Sequence, residues 1–218
     1  MQRTSRQLWL TLGAASLVGV ALFLIGVLRN QSIDYWYLPY NLALGVIPLL
    51  LSTWLVKLLR TRRWKNWLTV AVTGLWLLFL PNSFYIVTDF IHVVEYSRVD
   101  LVQDVVMLMQ FSVVGLLLGF LSLYQVHKEL LKRLSLKKAH LVILAVLLLS
   151  SFAVYVGRDL RWNSWDVVTQ PVGLFGDILV RLVHPFAYPE MWSIMLSFFV
   201  MLSSLYLVGW QTRRLRGL

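Results

Sequence analysis

The chain has 218 residues, 59% hydrophobic and only 14% charged, against about 25% charged in a soluble domain, so lipid is its natural solvent. Its net charge of +10 would suggest nucleic acid in a soluble chain, but Lys and Arg sit in short clusters between apolar runs and form no basic face of useful size, which argues against a nucleic-acid partner. With no cysteine, disulfides, thiol chemistry and thiolate metal sites are excluded.

In chain order, Arg3 and Arg6 precede an apolar run over residues 8–28. It is too long for the core of a cleavable signal and lacks a convincing small-residue cleavage site, so it reads as a first transmembrane anchor. Five further runs, 37–59, 67–87, 101–126, 140–156 and 191–210, approach or exceed the roughly 20 residues that cross a bilayer as helix. The fifth is the shortest and is expected to run on into Gly157 and Arg158. None alternates with period 2, so helices are expected and not a barrel. The fold class is therefore all-α: a polytopic bundle of six transmembrane helices forming one domain over residues 1–218.

Pro48 and Pro81 should kink the second and third helices, and Asn82 is placed to serve a freed carbonyl. Gly115 and Gly119 form a Gly-xxx-Gly in the fourth, read as close packing within the bundle in preference to a dimer contact. Residues 171–184 are amphipathic. Asp177, Arg181 and His184 lie within about 60° on a helical wheel, and Leu174, Phe175, Ile178, Leu179 and Leu182 cover the rest. An interfacial helix on the outer leaflet is expected, with a re-entrant segment as the alternative.

The positive-inside rule fixes the orientation. Arg3 and Arg6, then Lys57, Arg60, Arg62, Arg63 and Lys65, then Lys128, Lys132, Arg133, Lys137 and Lys138, then Arg213, Arg214 and Arg216 fall on one side, with Glu129 their only acid. The other side holds Arg29, Arg98, Arg158, Arg161 and Arg181 against Asp34, Asp89, Glu95, Asp100, Asp104, Asp159, Asp166, Asp177 and Glu190. Both termini are expected in the cytoplasm of an inner-membrane protein. Tyr35, Trp36, Tyr37, Trp162, Trp165 and Trp192 fall at the outer boundaries, and Trp64, Trp67 and Trp210 at the inner ones, as an interfacial belt requires.

The chemistry-bearing side chains gather on the outer side. If helical geometry persists beyond Pro81, then Asn82, Tyr85, Asp89, His92 and Tyr96 share an arc of about 80°. An acid, an imidazole, a phenol and an amide on one face suit proton relay or a cation, and Asp89 and His92 one turn apart suit a divalent metal. Helix-end capping accounts for the same residues without a ligand. Asp104 opens the fourth helix, where an acid also suits the helix dipole. Gln103 and Gln110 line a face leading inward, compatible with a shallow polar pocket or with hydrogen bonding between helices. Arg158 and Arg161, flanked by Trp162 and Trp165, are tools for an anionic headgroup or phosphate. Asn163 and Asp166 have capping-box spacing, so part of that segment starts a short helix. No Asp, Glu, Lys, Arg or His lies near the middle of a span, which disfavours an ion-coupled transporter. No P-loop, His-Glu-x-x-His or nucleophile elbow is present. His127 and His140, among lysines, read as interfacial bystanders.

The segments Pro81-Asn82-x-x-Tyr85-x-x-Thr88-Asp89-x-x-His92 and Arg158-x-x-Arg161-x-Asn163-Ser164-Trp165-Asp166 resemble the bacterial membrane-protein family catalogued as domain of unknown function 1361. The resemblance extends over nearly the whole chain. It implies a bacterial integral membrane protein with several spans and supplies no reaction, substrate or cofactor.

Three functions fit these observations. The first is a membrane-embedded enzyme or binding protein for an anionic, lipid-linked molecule. There Asp89 and His92 act as acid–base groups or metal ligands, Asp104 assists, and Asn82, Tyr85, Arg158, Arg161, Asn163, Trp165 and Asp166 bind substrate. The second is a non-catalytic membrane subunit or assembly factor whose protein partner the sequence does not name. The third is a small transporter. The first is preferred, since its tools converge on one face of the membrane.

Overall fold

The computed structural model describes residues 2–93 and 101–215. Glu95, Tyr96, Arg98, Asp100 and Arg216 lie outside the described residues, as do the side chains of Arg3, Arg6, Arg213 and Arg214. All regular structure among the described residues is helical. The long elements are α1 (Gln2–Asn30), α2 (Tyr37–Leu58), α3 (Trp67–Tyr85), α4 (Leu101–Leu131), α5 (Leu136–Arg158) and α8 (Pro189–Leu215). Two short helices, α6 (Asp166–Thr169) and α7 (Pro171–Val183), fill the last loop. A 3-10 stretch, Ile86–His92, continues α3 directly.

Six helices among the described residues are long and apolar enough to cross a membrane. They outrun the apolar runs read from sequence, because a helix does not stop where hydropathy falls. The first turn of α5 starts at Ser135, whose extended backbone ends the preceding turn. α3 starts on Asn66, whose side-chain oxygen accepts the Leu68 N–H at 3.2 Å. Large apolar side chains stand exposed along the spans, Leu17, Leu28, Val102, Leu149, Val200 and Val208 among them. Such surface belongs against lipid tails.

α2, α3 and α4 form the tightest part of the bundle, with α1 against α4, and α5 joining α3 to α8. Small residues set the spacing. A Cβ on Gly115 would stand 2.7 Å from the Ser83 carbonyl oxygen, and one on Gly119 would stand 2.5 Å from the Phe84 ring. Gly45 approaches the Ser83 Cα from the other side. The end of α3 is thus clamped between glycines of α2 and α4, and the Gly-xxx-Gly packs inside the bundle.

Neighbours supply donors beside both prolines. Proline supplies no N–H and pushes away the preceding turn, leaving carbonyls short of donors in a medium without water. The Ser83 hydroxyl donates to the Gly45 carbonyl at 2.8 Å, three residues before Pro48. The Ser164 hydroxyl donates to the Leu78 carbonyl at 3.1 Å, three residues before Pro81. Asn82 also serves its own kink, donating to the Phe79 carbonyl at 3.0 Å.

At the end where the chain termini lie, His127 differs from its expected bystander role. It is fully buried, bonds through Nδ1 to the Tyr206 hydroxyl at 2.8 Å, and stacks on Trp210 with ring centroids 4.1 Å apart. Its place on the face of α4 that meets α8, not its nearness to lysines, decided this.

Candidate functional site

The far end of the bundle collects the end of α1, the start of α2, the 3-10 stretch, the start of α4, the end of α5 and the α6–α7 segment. Contacts across it join distant parts of the chain: Arg29 to Asp104, and Asn82 to Ser164.

The switch from α to 3-10 geometry after Tyr85 rearranges the expected polar row. At about 120° per residue, Asp89 turns some 120° away from Tyr85, whereas α geometry would leave them about 40° apart. Asp89 and His92, three residues apart, then stand on one line. Asp89 is 3% exposed and its Oδ2 accepts from the Asn41 amide of α2 at 3.0 Å. His92 lies against the ring of Tyr37, centroids 5.3 Å apart. Tyr85 faces α5 instead, its ring so close to Gly157 that a Cβ there would stand 3.2 Å from Cε2. Asn82 is directed to the last loop, donating to the Ser164 hydroxyl at 2.9 Å. The shared face of 80° is therefore split into two, one toward α2 and one toward α5. Tyr96, its fifth member, is outside the described residues.

Asp104 is placed apart from Asp89. Only 1% exposed, it pairs with Arg29 of α1 at 3.2 Å and accepts from the Tyr35 hydroxyl at 3.4 Å. Arg29 also donates to Gln103, and Gln110 donates to the Ala15 carbonyl at 2.9 Å. These two glutamines therefore serve the joint between α1 and α4.

Arg158, at the last residue of α5, is half-buried and makes no hydrogen bond or ion pair with the described residues. Its charge acts on both Asp89 and Tyr85. It lines a groove of about 360 Å³ together with Val87, Thr88, Ile91, Ile194, Ser197, Phe198 and Met201, a volume in the range of small-molecule sites. The 3-10 stretch forms one wall and α8 the other.

The remaining candidates lie in the α5–α7 connection. Arg161 is exposed and adopts a left-handed backbone, φ 60°. This costly conformation for a non-glycine residue lets the chain reverse after α5. Trp165 is 38% exposed. Asp166 serves structure: its Oδ2 accepts the Asn163 backbone N–H at 2.7 Å and its Oδ1 accepts the Thr169 hydroxyl at 2.8 Å. The Asn163 N–H, then the Thr169 hydroxyl, hold its carboxyl below the usual range near 3.8. This is half of a capping box.

The amphipathic helix forms as expected and turns its polar line toward the bundle. Asp177 accepts from Trp162 Nε1 at 2.8 Å, and Arg181 donates to the Tyr155 hydroxyl at 3.1 Å while its guanidinium lies over the Tyr188 ring. His184 stays exposed. A Gly173 Cβ would meet the Trp162 ring at 2.8 Å, which explains the glycine on that face. Val172, Phe175, Leu179, Leu182, Val183 and Phe186 remain exposed, Phe186 to 93%.

Among the described residues no group of three or more His, Asp or Glu is disposed to hold a metal ion. Asp89 and His92 thus offer a divalent ion two ligands, against the three or four of ordinary zinc sites. Sequence reasoning missed Asn41, Tyr155 and Ser197. A lone amide within an apolar span was the available signal for Asn41, and the other two carried none.

The family model described as Protein of unknown function (DUF1361) matches residues 40–205. The chain belongs to this family. The matched region takes in every residue of the groove and both Asp89 and Asn41, and it leaves out α1 with Arg29 and Tyr35. No curated protein and no solved structure matches the chain.

Proposed function

We propose that this protein is a bacterial inner-membrane protein with both termini cytoplasmic, and that it binds the anionic head of a lipid-linked molecule at the outer-leaflet end of its bundle. The orientation is supported by the basic segments, which share the side of the termini. The exposed apolar face of α7 supports its lying in the outer leaflet, with Asp177 and Arg181 tethering it to the bundle.

The observation that carries the binding reading is Arg158. A guanidinium held half-buried at a groove wall, with no hydrogen-bond or ion-pair partner among the described residues, keeps its donors available. A phosphate or carboxylate matches that fork in two parallel bonds. Asp89, buried against Asn41 of α2, supplies a counter-charge to Arg158 from outside the groove lining. Arg161, Asn163 and Trp165 lie on the loop that frames the same end.

Native mass spectrometry of the gently extracted chain tests this. The parent is expected to retain an adduct of lipid mass, which Arg158→Ala loses and Arg161→Ala weakens less. An adduct of equal abundance on parent and Arg158→Ala overturns the reading. A bare chain accompanied by a stoichiometric protein partner favours the subunit function instead.

A further inference from the structure

The groove beside Arg158 has a shape that says more about the ligand than its charge. Its walls are Val87 and Ile91 on the 3-10 stretch and Ile194, Phe198 and Met201 on α8, and among the described residues Arg158 is the one charged residue lining it. The two hydroxyls present are Thr88, already spent on the Tyr85 carbonyl at 2.7 Å, and Ser197. Ile194 to Met201 spans eight residues, seven steps or about 10 Å along α8, running from the Arg158 end toward the interior of the span. Ile91 and Ser197 are exposed along it, so the groove stands open on its lipid side.

We propose that this groove is the slot for the hydrocarbon tail of an amphiphile with a net-anionic phosphomonoester head, with Arg158 holding the phosphate at its rim. The inference rests on the binding reading above and adds the position and direction of the tail. A free anion would leave the apolar walls unused. A single alkyl or prenyl chain fits, and it continues into the bilayer where the groove ends.

The test uses the full chain in phosphatidylcholine nanodiscs carrying a small fraction of phosphatidic acid with a photoactivatable diazirine midway along its tail. Illumination, digestion and mass spectrometry locate the adducts. Phosphatidylcholine with the same diazirine tail is the comparison. Phosphatidic acid is expected to label residues 87–91 and 194–201 about tenfold more than phosphatidylcholine, the ratio that one charge-assisted contact of this kind supports. Arg158→Ala should reduce that excess to the phosphatidylcholine level, and Arg158→Lys should keep part of it. Ser197→Trp, on an exposed lining position, should fill the slot and remove the labels from residues 194–201.

Equal labelling by the two lipids, or labels spread over the exposed faces of α1 and α5, overturns the slot. If the lipid adduct depends on Arg158 while its tail labels map elsewhere, the slot is wrong and the binding reading stands. If Arg158→Ala changes neither adduct nor labels, both fall together. The labelling map of the unaltered chain decides the question even where a variant fails to fold.

Discussion

Asp89 and Asp104 lie at the same end of the bundle and are buried to nearly the same degree, 3% and 1% exposed. Asp104 is saturated: Arg29 neutralises it and Tyr35 donates to its second oxygen. Asp89 accepts one amide hydrogen from Asn41, and Arg158, whose charge it feels, lines a groove. A buried carboxylate is costly unless paired and hydrogen-bonded. Asp104 meets that requirement within the protein and so fastens α1 to α4. Asp89 meets it in part and leaves an arginine beside it with donors to spare. Burial of an acid therefore does not mark a site here; the completeness of its partners separates joint from site.

The largest effect that sharpens this contrast is Asp104→Ala. It takes away the acceptor of an Arg29 N–H and of the Tyr35 hydroxyl, two hydrogen bonds to a buried charged group, and should lower stability by about 3 kcal/mol, read as the loss of folded protein in a thermal scan in detergent. Gly115→Ala comes next. Its Cβ would meet the Ser83 carbonyl at 2.7 Å and the Ile86 side chain at 2.9 Å, an overpacking that costs about 2 kcal/mol. Because it pushes on the root of the 3-10 stretch, lipid-adduct abundance should fall with it. Asp89→Ala loses one hydrogen bond and should cost only about 1 kcal/mol, read in the same thermal scan. A destabilisation equal to that of Asp104→Ala would erase the distinction between the two acids.

The smallest effect concerns Asp166, whose carboxyl is held below its ordinary value of 3.8 by the Asn163 N–H and the Thr169 hydroxyl. A depressed folded value means its stabilisation is fully present above pH 3.8 and is lost as pH falls through the lower folded value. Asp166→Asn should therefore differ from the parent in thermal unfolding near neutral pH. The two curves should converge only below about pH 3.8. A difference that persists unchanged there would show that packing, not charge, carries the contribution.

The spans were legible because hydropathy over twenty residues is a strong signal and lipid leaves the backbone few alternatives. The amphipathic helix was legible for a similar reason, though two of its polar side chains, Asp177 and Arg181, also bond Trp162 and Tyr155 of the bundle. Arg158 was legible as a candidate from its indole neighbours. The face of α3 was not. Pro81 warned of a kink, but nothing in Ile86-Val87-Thr88-Asp89 announces a change from α to 3-10 phase, and that change separates Asp89 from Tyr85. Nor could Asp104 be assigned to Arg29, because the lateral order of helices arises from side-chain fit between spans and leaves no periodic trace in one chain.

The hydroxyl clasps beside Pro48 and Pro81 also impose an order of completion during synthesis. The Gly45 carbonyl waits for Ser83, 38 residues later, and the Leu78 carbonyl for Ser164, 86 residues later. α2 can be finished as soon as α3 enters the membrane. α3 stays unfinished until α5 and the loop beyond it have been made, so the wall of the groove is among the last parts of the molecule to reach its final geometry.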